Sequence, residues 1–252
     1  MERINEEEYT NQVLNLCLLA GKIMLQYGAE TYRVEDTMMR IAAAFGLKET
    51  HSFVTPTGIL FSVNDGPTKL VRMMERSTDL EKIVLVNSIS RKIAAGKLSL
   101  EEASLALKHI ELKKMGYPIW LQIVAASIAS GCFVIMFQGG WNDFVPAIIA
   151  GGLGFTVFLY VHELLKIKFV AEFIASFIIG ICSFALVYVG IGHELDKVII
   201  GSVMPLVPGL LITNAVRDLM AGHLVAGLSK GAEAFLTAFA IGAGIAVMFS
   251  FL

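Results

Sequence analysis

The chain has 252 residues, of which 56% are hydrophobic and 17% are charged, and its formal net charge is −2. A soluble domain carries about 25% charged residues, so the composition excludes an ordinary soluble protein. The sequence has no basic stripe with interleaved aromatic residues, which excludes a nucleic-acid-binding protein. Because 30 of the 42 charged residues precede residue 118, we predict an α+β domain over 1–117 and a transmembrane domain over 118–252.

Two amphipathic helices are predicted at the start of the chain. Apolar residues recur every three or four positions over 6–27 and 31–45, and Gly28 and Gly46 are suited to end these helices. Asn5 is suited to cap the first one. The segment between them could form a small polar site, but the favoured interpretation is a solvated first turn whose acids face the helix dipole. Its charged residues are Glu30, Arg33, Glu35 and Asp36.

Three short strands and two more helices are predicted to follow. Turn chemistry at 55–58 and 64–67 divides a stretch of β-branched and aromatic residues into strands at 51–55, 59–63 and 69–73. Capping boxes then begin two helices, and the paired residues are Thr78 with Glu81 and Ser99 with Glu102. The sequence contains no phosphate loop, dinucleotide fingerprint, nucleophile elbow or zinc-protease motif, so we predict no catalytic residue, no cofactor and no metal site.

Five apolar segments make up the predicted transmembrane α-helical bundle, each close to the ~20 residues that cross a bilayer. They are 118–137, 144–165, 169–189, 198–213 and 233–252, with 214–232 as the last connector. The fourth segment is predicted to be broken, because Pro205 and Pro208 each remove a backbone donor and clash with the preceding turn. A helix broken at membrane depth is tolerated inside protein or beside a watery cavity, and secondary transporters hold substrates at such breaks.

The broken segment also carries polar residues that suit a small carboxylate-bearing metabolite. A helix that restarts at Gly209 offers free backbone N–H groups, which attract a carboxylate. Thr213 and Asn214, one turn further on, could hydrogen-bond an amino or hydroxyl group. Arg217 could hold a second carboxylate or form a gate with Asp218. With the two prolines of the break, these residues are the predicted substrate-binding and translocation site.

Three glutamates near the ends of the spans are candidates for ion coupling. Glu172 is the first choice, because a carboxyl group among apolar neighbours takes up a proton readily. Glu163 and Glu233 are the other two. All three could instead reach the membrane interface and have no coupling role.

Lysine and arginine are distributed unequally between the two sides of the predicted bundle. By the positive-inside rule the N-terminal domain is expected in the cytoplasm and the C-terminus outside. One side carries Lys113, Lys114, Lys166, Lys168, Arg217 and Lys230, and the other carries only Lys197. The acidic N-terminus, which lacks the pattern of a signal peptide, agrees with this orientation. A second unit with five spans would insert with the opposite topology, so we hypothesise that the chain is one half of an inverted-repeat transporter.

Two stretches resemble the signatures of a known family. Residues 208–222 (Pro-Gly-Leu-Leu-Ile-Thr-Asn-Ala-Val-Arg-Asp-Leu-Met-Ala-Gly) with Pro205, and residues 28–35 (Gly-Ala-Glu-Thr-Tyr-Arg-Val-Glu), resemble those of the threonine/serine exporter family. The resemblance covers essentially the whole chain. The family has long single-chain members and split members, in which a chain of this size pairs with a shorter multispan subunit.

The resemblance implies the larger subunit of a split pair in the bacterial inner membrane. It implies proton-driven export of threonine and serine, or of succinate, which some split pairs are associated with. The other expected partner is the lipid bilayer.

Two other functional classes stay open at this point. A membrane-anchored enzyme is disfavoured, because the sequence shows no nucleophile–base pair and five spans exceed what an anchor needs. A sensor would bind a ligand in its soluble domain and signal through the spans. Neutral substitutions of Asn214, Arg217 and Asp218 distinguish these classes, because an exporter needs these residues and an anchor tolerates their loss.

Overall fold

The computed structural model describes residues 2–63, 67–113 and 116–251, with side chains from residue 6 onward. The turn residues 64–66, Lys114 and the boundary residue Met115 therefore lie outside what is described. The predicted helix start at Asn5 is wrong, because α1 already begins at Glu2. The chain forms two compact units. They are Met1–Gly116 with Leu210–Gly231, and Tyr117–Gly209 with Ala232–Leu252. Residues 210–231, which the sequence places in the membrane domain, thus pack with the N-terminal residues.

The first unit contains the predicted helices and strands in the predicted order. They are α1 Glu2–Gln26, α2 Thr31–Ala44, β1 Thr50–Thr55, β2 Gly58–Val63, β3 Thr68–Arg72, α3 Leu80–Ala94 and α4 Leu100–Leu112. Gly28 and Gly46 follow α1 and α2 with φ of +95° and +89°, a region in which glycine has no steric penalty. The predicted capping box at Ser99 is confirmed. The one at Thr78 is wrong, because α3 begins one residue later and Asp79 caps it.

A three-stranded antiparallel sheet in the order β1-β2-β3 packs against the helices of the first unit. Side chains alternate between the two faces, as the period of a strand requires. Val54, Ile59 and Phe61 point inward and are buried in one hydrophobic core with α1 to α4. This core fixes the start of α2, which carries the polar residues of the site.

The second unit is a helical bundle with three long helices and one short helix before the break. They are α5 Ile119–Met136, α6 Trp141–Leu165, α7 Lys168–Tyr188 and α8 Leu195–Val203, followed by a 3₁₀ turn at Met204–Leu206. Small residues let the helices approach closely, since a Cβ at Gly151 would collide with Ser130 and one at Gly154 with Ile179. Residues 232–250 complete this unit as the later part of α10, which spans Leu224–Ser250.

The predicted break in the helix at Pro205 and Pro208 is confirmed. Pro205 lies in the 3₁₀ turn, Pro208 follows it, and helix α9 begins at Gly209 and ends at Met220. Four helices of the described residues are long and apolar enough to cross a membrane, or five if the bent pair Leu195–Leu206 and Gly209–Met220 is one span.

The predicted connector over 214–232 is wrong. Most of this segment is helical, because α9 continues to Met220 and α10 starts at Leu224 after a short turn in which Gly222 has φ of +86°. The prediction treated this segment, with Asp218 and Lys230, as a link between spans. The structure instead buries both of them as an ion pair, so their charges do not require solvent.

Candidate functional site

The start of α2 is capped by a residue that lies 187 positions further along the chain. Thr31, the first residue of α2, donates hydrogen bonds from its backbone N–H to Asp218 Oδ1 and from its hydroxyl to Asp218 Oδ2, each 2.9 Å long. Asp218 lies on α9 and is completely buried. Its carboxylate satisfies an N–H group that has no partner within the helix, and it faces the positive end of the helix dipole.

Lys230 on α10 neutralises this buried carboxylate. Its Nζ atom lies 2.7 Å from Asp218 Oδ2. It also donates to the hydroxyl of Thr31 at 3.2 Å and to the carbonyl of Ala29 at 3.3 Å. An ammonium group has three donors, and all three are used here. The pair is therefore desolvated but fully hydrogen-bonded, which is the condition under which a buried ion pair persists.

Glu30, the residue before α2, binds two arginines. Its Oε1 accepts a hydrogen bond of 2.6 Å from Arg217 on α9, and its Oε2 accepts one of 3.1 Å from Arg33 on α2. Only 7% of the Glu30 side chain is exposed, compared with 55% for Arg217 and 44% for Arg33. Burial raises the pKa of Glu30, but hydrogen bonds from its own backbone N–H and both guanidinium groups outweigh burial, so that its pKa lies below the ordinary value.

Asn214 completes the polar face of α9 that contacts the start of α2. Its Nδ2 donates a hydrogen bond of 2.8 Å to the carbonyl of Gly28. Asn214, Arg217 and Asp218 are spaced i, i+3 and i+4, so they share one face of the helix. Residues 28–31 thus bind that face through three successive polar contacts. All of these residues belong to the first unit.

Glu35 and His223 form a second, weaker pair in the same unit. Glu35 Oε1 accepts a hydrogen bond of 3.0 Å from the backbone N–H of Val54 and lies 3.9 Å from His223 Nδ1. Burial raises the pKa of Glu35, and the negative charge of Asp218 raises it further. The Val54 amide and His223 lower it by less, so the pKa stays above the ordinary value.

The structure separates the predicted site residues into two groups. Asn214, Arg217 and Asp218 meet in the network, whereas Thr213 lies on the exposed side of α9. Pro205, Pro208 and Gly209 form the break itself and belong to the second unit. The predicted gate between Arg217 and Asp218 is not observed. Arg217 pairs with Glu30 and Asp218 with Lys230, because adjacent residues on a helix point in different directions.

Two of the three candidate glutamates lie together in the second unit. Glu172 on α7 is buried, and its Oε1 lies 3.6 Å from Lys168 Nζ. The same Lys168 lies 3.9 Å from Glu233 Oε1 on α10. In the described part of the chain the Oε2 atom of Glu172 is buried without a hydrogen-bond partner. Glu163 is exposed and pairs with its neighbour Lys166 at 2.8 Å.

The sequence interpretation missed the roles of Thr31 and Lys230, and it assigned Glu30 to a solvated turn. That interpretation is wrong for Glu30, which is buried. One signal was present in the sequence. The start of α2 has no Ser, Thr, Asp or Asn at the cap position, so its N–H groups needed an acceptor from elsewhere in the chain.

Comparison with known proteins identifies the family. A family model described as "Putative threonine/serine exporter" matches residues 15–252, which include both signature segments. The chain belongs to the threonine/serine exporter family. This confirms the resemblance of the two signatures and places the chain among membrane exporters, in agreement with its four or five candidate spans.

Relatives of this family member include proteins named as a succinate transporter subunit and as threonine/serine exporters. "Probable succinate transporter subunit YjjP" of Klebsiella aerogenes is 28% identical over 92% of the chain and 91% of that protein. "Probable threonine/serine exporter" of Mycobacterium tuberculosis is 26% identical over 92% of the chain and 45% of that protein. "Threonine/serine exporter" of Corynebacterium glutamicum is 23% identical over 92% of the chain and 50% of that protein. No solved structure matches the chain.

Proposed function

We propose that the chain is one subunit of a secondary-active exporter of small carboxylate metabolites, with threonine and serine as the first candidates and the proton gradient as the driving force. The observation that carries the proposal is the charge network between the two signature segments of an exporter family. Burying Asp218, Lys230 and Glu30 is costly unless each charge is paired, and the chain buries and pairs them where its two signature segments meet. This supports a role of the network in the transport cycle.

The substrate site lies along α9. The half-exposed guanidinium of Arg217 binds the substrate carboxylate. The N–H of Gly209 donates to the Val207 carbonyl, so the predicted free N–H at this position is not observed. Thr213, on the exposed side of α9, hydrogen-bonds the amino or hydroxyl group of the substrate, and the buried Asn214 holds α9 to the carbonyl of Gly28. Pro205 and Pro208 keep the helix broken before Gly209. The Asp218–Lys230 pair holds α9 against α2 in the state described here.

Proton coupling takes place at the pair of glutamates that share Lys168. Glu172 is buried, and one of its oxygens has no partner among the described residues, so a proton can be accommodated there. Protonation of Glu172 removes its attraction for Lys168, which then pairs with Glu233 alone. Glu163 is the weakest of the three candidates, because its exposed ion pair with Lys166 is of a kind that contributes little.

The exporter assembles with a shorter multispan subunit in the inner membrane, with residues 1–116 in the cytoplasm and the C-terminus outside. The name "subunit" of the Klebsiella relative supports a partner, and so do the exporters that are about twice as long. Arg217 and Lys230 are neutralised within the network, so they add little to the positive charge that determines the orientation. The remaining lysines still support this orientation, because one side carries four and the other carries one. The four are Lys113, Lys114, Lys166 and Lys168, and the one is Lys197.

Succinate is the second candidate substrate, favoured by the name of the Klebsiella relative. The test uses proteoliposomes that contain the chain alone or the chain with a short partner subunit, preloaded with labelled threonine, serine or succinate. Export that needs both subunits and a proton gradient supports the proposal, and the label identifies the substrate. Absence of export for all three compounds contradicts the proposal and favours a membrane-anchored enzyme or a sensor.

A further inference from the structure

Arg33 lies in the N-terminal signature, outside the predicted substrate site, yet it converges with Arg217 on the same carboxylate. The two guanidinium groups contact the two oxygens of Glu30, one each. They therefore lie within reach of a single small ligand. Both arginines donate through Nη1 only, as far as the described residues show. A guanidinium carries five N–H donors, so each arginine has others to offer.

The carboxyl groups around this pair are buried or paired, so guanidinium groups form its exposed edge. Glu35, also on α2, is mostly buried beside His223 and the backbone N–H of Val54. Asp218 is neutralised by Lys230 in the interior, and Asp36 pairs with Arg40 one turn along α2. Glu30 compensates only one of the two arginines that it contacts. Arg33 and Arg217 are each about half exposed, whereas Glu30 is not. The exposed edge therefore presents guanidinium N–H groups, and the compensating carboxylate lies behind them.

We propose that Arg33 and Arg217 together bind the carboxylate of the exported substrate, with Glu30 as the buried anchor that holds the two guanidinium groups side by side. Planar guanidinium groups match the geometry of a carboxylate and bind it through paired hydrogen bonds. The substrate thus contacts both family signatures at once, through one arginine from each. This inference rests on the proposed function, because it names the residues that recognise the substrate of that exporter.

The test compares the efflux kinetics of wild-type complex with those of Arg33→Gln, Arg33→Lys and Arg40→Gln, using whichever of threonine, serine and succinate the wild type exports. Arg40 is the matched control, because it lies on the same helix and forms an ion pair with Asp36. We expect Arg33→Gln to raise the KM about tenfold or more with little change in kcat, since a charge-assisted contact is lost. Arg33→Lys should recover part of this loss, and Arg40→Gln should leave the KM unchanged.

The same proteoliposomes distinguish a substrate from a lipid headgroup, which could also bind two arginines. In vesicles made of phosphatidylcholine alone, the effect of Arg33→Gln on the KM should persist; if it disappears, the arginines bind anionic lipid and the inference is wrong. An equal KM for Arg33→Gln and Arg40→Gln also overturns the inference while leaving the exporter intact. Failure of the wild type to export any of the three compounds instead overturns the proposed function.

A binding measurement adds a readout that a structural role would not change. Substrate should raise the thermal unfolding temperature of the wild-type complex, and the methyl ester of the same compound, which lacks that carboxylate, should not. Arg33→Gln should lose this stabilisation. Equal stabilisation by acid and ester, or full stabilisation of Arg33→Gln, contradicts carboxylate recognition by these arginines.

Discussion

Asp218 caps helix α2 through Thr31, although the two residues belong to opposite ends of the chain. Both carboxylate oxygens are used, one by the backbone N–H of Thr31 and one by its hydroxyl, each at 2.9 Å. The contact ties the two signature segments of the family together. Because Lys230 binds the same carboxylate, a buried charge pair and a helix cap depend on one side chain. The first predictions follow from this dependence.

Asp218→Asn should destabilise the protein strongly. The substitution leaves Lys230 buried without a counter-charge, and breaking a buried ion pair by removing one partner costs about 3–5 kcal/mol. Asp36→Asn is the matched control, because it removes an exposed ion pair with Arg40 that contributes about 1 kcal/mol or less. Thermal unfolding of the two purified variants in detergent gives the comparison. Equal unfolding temperatures would show that the Asp218–Lys230 pair does not hold the first unit together.

Gly28→Ala should impair export more than its effect on stability explains. Gly28 has φ of +95°, where alanine is strained by about 1–2 kcal/mol, and its carbonyl accepts the hydrogen bond from Asn214. Gly46→Ala introduces the same strain at φ of +89°, where a Cβ meets no neighbour. We expect similar losses in unfolding temperature but reduced efflux only for Gly28→Ala. Equal efflux from both variants would contradict a role of the Asn214–Gly28 contact in transport.

Glu35→Gln and Glu30→Gln should change stability in opposite directions at neutral pH. The folded-state pKa of Glu35 is raised above the ordinary value of 4.5. The protonated side chain therefore contributes fully to the free energy of unfolding below that value, and this contribution is lost as the pH rises through the folded pKa. Glu35→Gln should therefore stabilise the protein at about pH 7, and the gain should shrink towards about pH 4.

For Glu30 the sign is reversed. The folded-state pKa of Glu30 is lowered. The ionised side chain therefore contributes fully to the free energy of unfolding above pH 4.5, and this contribution is lost as the pH falls through the folded pKa. Glu30→Gln should destabilise the protein at about pH 7 and less so below about pH 4. Unfolding temperatures measured across this range check both variants. A stabilising Glu30→Gln, or a destabilising Glu35→Gln, at neutral pH would contradict the described surroundings of the two carboxyl groups.

Glu172→Gln should uncouple export from the proton gradient. The amide keeps the size of the side chain but cannot gain or lose a proton, so efflux should become insensitive to an imposed pH difference. Glu163→Gln is the control, because Glu163 is exposed and pairs only with its neighbour Lys166 in the described chain. Parallel measurements with and without a pH gradient compare the two variants. If Glu172→Gln responds to the gradient as the wild type does, coupling occurs elsewhere.

Local sequence signals were sufficient for the elements of the fold. Hydrophobic periodicity, Gly28 and Gly46 predicted α1 and α2, and the two prolines predicted the break before α9. The early start of α10 was not predicted, because 214–232, which contains Lys230, was interpreted as a connector. Only the tertiary contact with Asp218 removes the cost of burying that lysine in a helix.

The candidate site was predicted in part. Asn214, Arg217 and Asp218 were identified because polar residues are rare in apolar segments. Their partners Glu30 and Thr31 could not be deduced, because a sequence separation of 187 residues leaves no periodic signal. The predicted gate between Arg217 and Asp218 failed for a simpler reason, since neighbouring positions on a helix do not face each other.

The most direct test of the central claim is efflux by the complex with Arg217→Gln compared with Arg40→Gln. Both substitutions remove one arginine from an ion pair, but only Arg217 joins the two signature segments, through its 2.6 Å contact with Glu30. We predict that Arg217→Gln abolishes efflux while the protein remains in the membrane, and that Arg40→Gln exports at the wild-type rate. Efflux that persists in Arg217→Gln would contradict the claim that the network of the two signatures forms the transport site.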